Sequence, residues 1–181
     1  MTHQELCRLT ALMCSKKFDA VLCDYQTMVS DEHPDVLAFN GHSTLFEIKV
    51  SRQDFLKDSA KECRKKYKMF YTYGNVNIKQ NSIGNIIGIS AETYKKICDP
   101  FYREYPHLGR YRYYVCEHGL ISPDEIDSGW GLFWVKSGRF FKKKDSAKFR
   151  NNLFLENLLL VHAVKLLKNN RYNTDKILAK Q

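Results

Sequence analysis

The sequence predicts an α/β (α+β) protein, a central mixed β-sheet flanked by helices. Three observations carry this. Leu6, Leu9, Leu12 and Met13 form an apolar stripe at helical spacing near the N-terminus. Residues 34–50, "PDVLAFNGHSTLFEIKV", hold two apolar runs divided by Asn40-Gly41, the strongest short hairpin signal. Residues 149–168, "FRNNLFLENLLLVHAVKLLK", read as a long amphipathic helix. Strand runs bracketed by helices in this order give a sheet with helical cover.

Thr2 and Glu5 fit the N-cap and N3 positions of a capping box, and the helix they open ends near Lys16 and Lys17. Phe18 to Cys23 is a short strand-like run, and residues 25–33, "YQTMVSDEH", form a turn or loop. The hairpin follows. Ser51 caps a second helix with Asp54 at N3, and Phe55, Leu56, Ala60, Cys63 and Tyr67 keep one face apolar to about Lys68. Residues 69–109 are strand-like pieces broken by Gly and Asn, with a short helix in "SAETYKKICD" stopped before Pro100. "RYRYYVC" is a strand. "SPDEI" opens a helical turn with Pro123 at N1, "GLFWV" is another strand, and "KSGRFFKKK" makes a turn and an edge strand. The tail from Asn169 is polar and expected to fray. No repeat or linker divides the chain, so residues 1–181 read as one domain.

Lys and Arg number 29 against 20 Asp and Glu, a net charge of +9, which favours a polyanionic partner such as nucleic acid. Charge alone leaves plain solubility open. The six cysteines include no CxxC pair, which argues against a zinc ribbon or a thioredoxin-like site, and free thiols suit a reducing cytoplasm. No apolar run approaches the ~18 residues of a membrane span. No signal segment is apparent.

The hairpin carries charge where a buried strand should carry none. Glu47 and Lys49 share one strand face, with Ile48 on the other. A two-residue loop would put Asp35 opposite Phe46, on the wrong face. A three-residue loop, Asn40–His42, puts Asp35 opposite Glu47, and we expect that register or a bulge of the same effect. Two converging carboxylates repel unless a cation lies between them, and carboxylate oxygens are the ligands Mg²⁺ prefers. Lys49 beside them can hold an attacking water or a phosphate. The plain reading is that Glu47 and Lys49 are a solvated pair on an edge strand. Downstream, Lys57, Lys61, Arg64 and Lys65 lie on the second helix as a DNA-backbone surface or a solvated face. Arg52 binds a phosphate or is solvated.

These residues resemble the PD-(D/E)XK nuclease superfamily, whose signature is Pro-Asp, a hairpin, then Glu-x-Lys: here Pro34-Asp35 and Glu47-Ile48-Lys49. The continuation "EIKVSRQDFLKD" is most similar to the MmcB-like branch, associated with DNA repair, and to related phage nucleases. "RYRYYVCEHGLISPDEI" and "GWGLFWV" are also similar to the continuation of such proteins. The resemblance covers residues 1–68 and 110–140 and leaves 69–109 as an insertion. It implies a restriction-endonuclease-like core and a Mg²⁺-dependent deoxyribonuclease in which Mn²⁺ substitutes. It implies DNA as partner, in repair, recombination or phage DNA processing, in the cytoplasm of a bacterial or phage-infected cell. Small members often dimerise to cut two strands. Asp35, Glu47 and Lys49 are then the catalytic residues, with Asp35 and Glu47 as metal ligands. Many members add an acid from the first helix, for which Glu5 is the candidate, although the capping box explains Glu5 equally well. A DNA-binding module that keeps the fold without catalysis is the runner-up, and an RNA-directed nuclease a third reading.

Overall fold

The computed structural model describes residues 1–25, 32–58, 108–127, 129–168 and 177–179. The elements are α1 (His3–Ser15), β1 (Ala20–Cys23), β2 (Val36–Phe39), β3 (Ser43–Lys49) and α2 (Arg52–Asp58). They continue with β4 (Tyr111–Glu117), a 3₁₀ turn (Pro123–Glu125), β5 (Gly131–Lys136), β6 (Arg139–Lys144), α3 (Leu153–Lys168) and β7 (Ile177–Ala179). The fold is mixed α/β. Among the described residues the sheet has seven strands in the order β6-β5-β4-β3-β2-β1-β7. β3, β4 and β5 run parallel, and the other neighbours pair antiparallel.

Local chemistry sets each element. The capping box forms: the Glu5 amide donates to Thr2 Oγ1 at 3.2 Å and the Thr2 amide to Glu5 Oε2 at 2.7 Å. The hairpin turns through the three residues Asn40–His42 and pairs Phe39 with Ser43 and Val36 with Phe46. Gly41 takes the left-handed conformation (φ 61°) that this loop requires. Ser51 Oγ accepts from the Asp54 amide at 3.1 Å and starts α2. Asn152 Oδ1 accepts from the Leu155 amide at 3.1 Å and starts α3.

Each face of the sheet has its own core. On one, Leu6, Cys7, Ala11 and Cys14 of α1 meet Val21, Val36, Ala38, Phe46 and Ile48. On the other, Leu155, Leu158, Leu159 and Ala163 of α3 belong to a core with Leu22, Leu37, Leu45, Tyr114 and Leu132. β3 is the middle strand between these layers, and all seven of its residues are buried. Glu47 and Lys49 therefore do not form a solvated edge pair.

The sequence expectation fails at the C-terminal edge of the sheet. Ile177–Ala179, placed in a frayed tail, pairs with Ala20–Leu22 and becomes the sheet edge beyond β1. The signal is only three apolar residues in a polar tail, and an unpaired β1 edge supplies the rest of the driving force. The second helix is described only to Asp58, and the proposed insertion at 69–109 lies almost wholly outside the described residues. No helix among the described residues is long and apolar enough to cross a membrane.

Candidate active site

Lys49 is the last residue of β3 and 2% exposed. Burying an ammonium is costly unless it is paired and hydrogen-bonded. It is: Lys49 Nζ donates to Asp58 Oδ1 at 2.8 Å and to Glu47 Oε2 at 3.3 Å, and lies 5.9 Å from the centre of the Tyr114 ring. Asp58 is completed by Tyr114, whose hydroxyl donates to Oδ2 at 2.7 Å.

The local fold brings these four residues together. Glu47 and Lys49 share a face because strand side chains alternate. The parallel β3–β4 register sets Tyr114 beside Glu47. Phe55 and Asp58 lie three apart on α2 and therefore face the same way. Phe55 meets the Tyr114 ring edge-on at 5.4 Å, and Tyr114 stacks on Trp130 at 4.5 Å. Asp58 was not among the residues that the sequence singled out. Its signal was that spacing from Phe55, hidden because Asp54, the cap partner, was the more conspicuous acid in the same short helix.

Asp35 sits in the bend before β2, beyond its last pair with β3. Its Oδ2 accepts from the Ile48 amide at 2.7 Å, and its Oδ1 lies 3.2 Å from His3 Nε2. Asp35 is thus joined to the Glu47–Lys49 pair through Ile48, the residue between them. The first turn of α1 and the β3 backbone hold Asp35, whereas α2 and β4 hold the Lys49 cluster. The hydrogen bond to Asp35 raises the His3 pKa above its ordinary value. Sequence reading passed over His3, because nothing in its local pattern links it to a residue 32 positions away.

Glu5 is exposed and its carboxylate serves the Thr2 amide, which lowers its pKa. The first turn of α1 presents His3 to Asp35, not Glu5. Arg52, read as a phosphate ligand or a solvated residue, is clasped by Glu125. Nη1 donates to Oε2 at 2.6 Å, and Nη2 pairs with Oε1. This ties the start of α2 to the 3₁₀ turn, with a further bond from Nη1 to the Leu120 carbonyl at 3.3 Å. Lys57 is exposed on α2, while Lys61, Arg64 and Lys65 lie outside the described residues.

A second polar cluster anchors the opposite end of β3. Ser43 Oγ donates to Glu156 Oε1 at 2.7 Å, the Gly109 amide donates to the same oxygen at 2.8 Å, and Asn151 Nδ2 to Oε2 at 2.8 Å. Burial raises the Glu156 pKa against these bonds. The cluster ties α3 to the starts of β3 and β4, so the helix cover is fixed far from Lys49.

No family model and no curated protein sequence matches the chain. A solved structure of a protein of unknown function from Silicibacter pomeroyi is similar in fold, with a TM-score of 0.52 at 11% identity. The similarity covers 94% of this chain and 92% of that chain, so it spans the whole mixed α/β fold.

Proposed function

We propose that the chain is a metal-dependent nuclease that hydrolyses DNA phosphodiester bonds on a restriction-endonuclease-like core. One observation carries the reading: a fully buried lysine and glutamate on the central strand, with the Asp35 carboxylate anchored to the amide between them. A buried ion pair is often no more stable than apolar side chains of the same volume. Its presence at the carboxyl end of a parallel strand, where open α/β sheets place their ligands, fits chemistry better than packing.

The donor set fits a hard divalent ion in part. Asp35, anchored by the Ile48 amide, and Glu47, bonded to Lys49, are the oxygen donors that would hold it, whereas Glu5 is committed to its cap. When bound, the ion would polarise the scissile phosphate and make its water a stronger nucleophile. Lys49 offers a fixed ammonium, whose donors suit a phosphate oxygen or an attacking water. Asp58 and Tyr114 position that ammonium. Lys57, with Lys61, Arg64 and Lys65 further on, supplies backbone contacts to DNA.

One observation favours a second reading, a DNA-binding module without catalysis: the Lys49 cluster is closed, with its ammonium already bonded to two carboxylates. A single experiment separates the two. The chain is incubated with supercoiled, linear and single-stranded DNA in Mg²⁺, Mn²⁺ or EDTA, beside Lys49→Met. Metal-dependent cutting that Lys49→Met loses supports the nuclease. Binding without cutting under every condition supports the module.

A further inference from the structure

Three potential ligand atoms from distant parts of the sequence converge at the start of α1: a ring nitrogen of His3, Cys7 Sγ and a carboxylate oxygen of Asp35, all within 4.8 Å of one another. His3 and Cys7 stand four apart on α1, so one helix face carries both. His3 Nε2 lies 3.2 Å from Asp35 Oδ1 and 4.0 Å from Cys7 Sγ. In a tetrahedral zinc site the ligands stand ~2.0–2.3 Å from the metal, and hence roughly 3.3–3.6 Å from each other. The present separations bracket that range, and the His3 side chain, 46% exposed, has room to adjust.

The rest of the surroundings suit a ligand set. Asp35 is oriented by the Ile48 amide on Oδ2, which leaves Oδ1 for an ion. A ligating carboxylate held by an outer hydrogen bond is the usual arrangement around a bound metal. Cys7 is 3% exposed while His3 is open, so the cluster has an apolar floor and a solvent-facing mouth. Burial, then the charge of Asp35, pushes the Cys7 thiol pKa upward, so without a cation the proton stays on sulfur.

We propose that His3, Cys7 and Asp35 form a binding site for a borderline-soft divalent cation of the zinc or cobalt class, with its fourth position open to solvent. Thiolate and imidazole select such ions over Mg²⁺. On binding, the S–H bond of Cys7 breaks, sulfur keeps the electron pair and forms the metal–sulfur bond, and the proton leaves to water. The site also shares Asp35 with the acids assigned to Mg²⁺ above. A zinc-class ion therefore withdraws Asp35 from the catalytic pair and inhibits cleavage. That consequence rests on the nuclease reading, and the site itself does not.

The full chain is titrated with Co²⁺ and its absorption recorded, then Zn²⁺ is added. We expect one equivalent of Co²⁺, a thiolate-to-cobalt charge-transfer band, and displacement by Zn²⁺. Cys7→Ala should lose the band. Loss of an outer hydrogen bond alone costs ~10–100-fold in metal affinity, so His3→Gln, a change at an exposed side chain, should weaken binding at least ~10-fold. No saturable band in the parent overturns the site, as does a band of equal strength in Cys7→Ala or unchanged affinity in His3→Gln. Cleavage in Mg²⁺ with added Zn²⁺ tests the consequence. Inhibition in the parent that Cys7→Ala relieves supports it, and equal inhibition in both overturns it. A chain that cuts no DNA in any metal overturns the nuclease reading, and the cobalt spectrum still decides the site.

Discussion

Lys49 Nζ and Asp58 Oδ1 stand 2.8 Å apart, with both side chains at most 2% exposed. They come from a strand and the helix that follows it, nine residues apart, and this contact holds α2 over the end of β3. Asp58→Ala should therefore destabilise the fold by ~3–5 kcal/mol, the cost of stranding one member of a buried pair. Asp58→Asn should cost less, because the amide oxygen can still accept from Lys49 or Tyr114. Thermal melting of the two variants checks this, and equal melting temperatures for parent and Asp58→Ala would show the pair to be slack.

That contact also shows what the sequence could and could not reveal. The hairpin register was readable because Asn40-Gly41 and the alternation of β2 and β3 constrain each other over a few residues. Glu47 and Lys49 stood out because charge inside an apolar run is conspicuous. Their burial was not readable, since it depends on β4, which joins β3 from more than sixty residues away. The same limit hid His3 and Asp58. Each is ordinary in its own helix and becomes notable only beside a residue that the fold brings to it.

Arg112 and Glu32 provide a second buried pair, at 3.0 and 3.2 Å, with the guanidinium over Trp130 and Phe149 at 5.4 and 5.3 Å. Arg112 Nε has no hydrogen-bond partner among the described residues, so this charge has little to spare. Glu32→Ala should cost ~3–5 kcal/mol. At about 2–4 °C per kcal/mol for a chain of this size, melting should fall by roughly 6–20 °C. Glu125→Ala, which breaks the exposed pair with Arg52, should lower it far less. A comparable fall in both would mean that burial does not set the cost here.

Glu125 gives a pH test. Its hydrogen bond from Arg52, then that from the Ser122 amide, lowers its pKa from 4.5 to about 2. A carboxylate depressed on folding contributes stability that is fully present above its unfolded pKa. It is lost as pH falls through the folded value. The melting difference between parent and Glu125→Gln should be steady at neutral pH and close as pH falls from 4.5 to about 2. A difference that persists unchanged below that window would exclude ionisation of Glu125 as its source.

The proposed chemistry is tested most sharply by separating the roles of Glu47 and Lys49. Glu47 is assigned as a metal ligand, so Glu47→Ala should weaken Mg²⁺ binding and cleavage together, with partial rescue by excess metal. Lys49 carries donors only and cannot be a ligand while protonated. Lys49→Met keeps the apolar stem that packs near Tyr114 but removes the charge. Metal binding should hold or tighten, because Glu47 and Asp58 lose their nearby cation. Cleavage should fall by at least ~10²-fold, the low end for losing a preorganised group that stabilises developing charge. Calorimetric Mg²⁺ titration, melting and DNA cleavage on the same samples distinguish the two patterns. If both variants bind Mg²⁺ and cut DNA as the parent does, the buried pair serves packing alone.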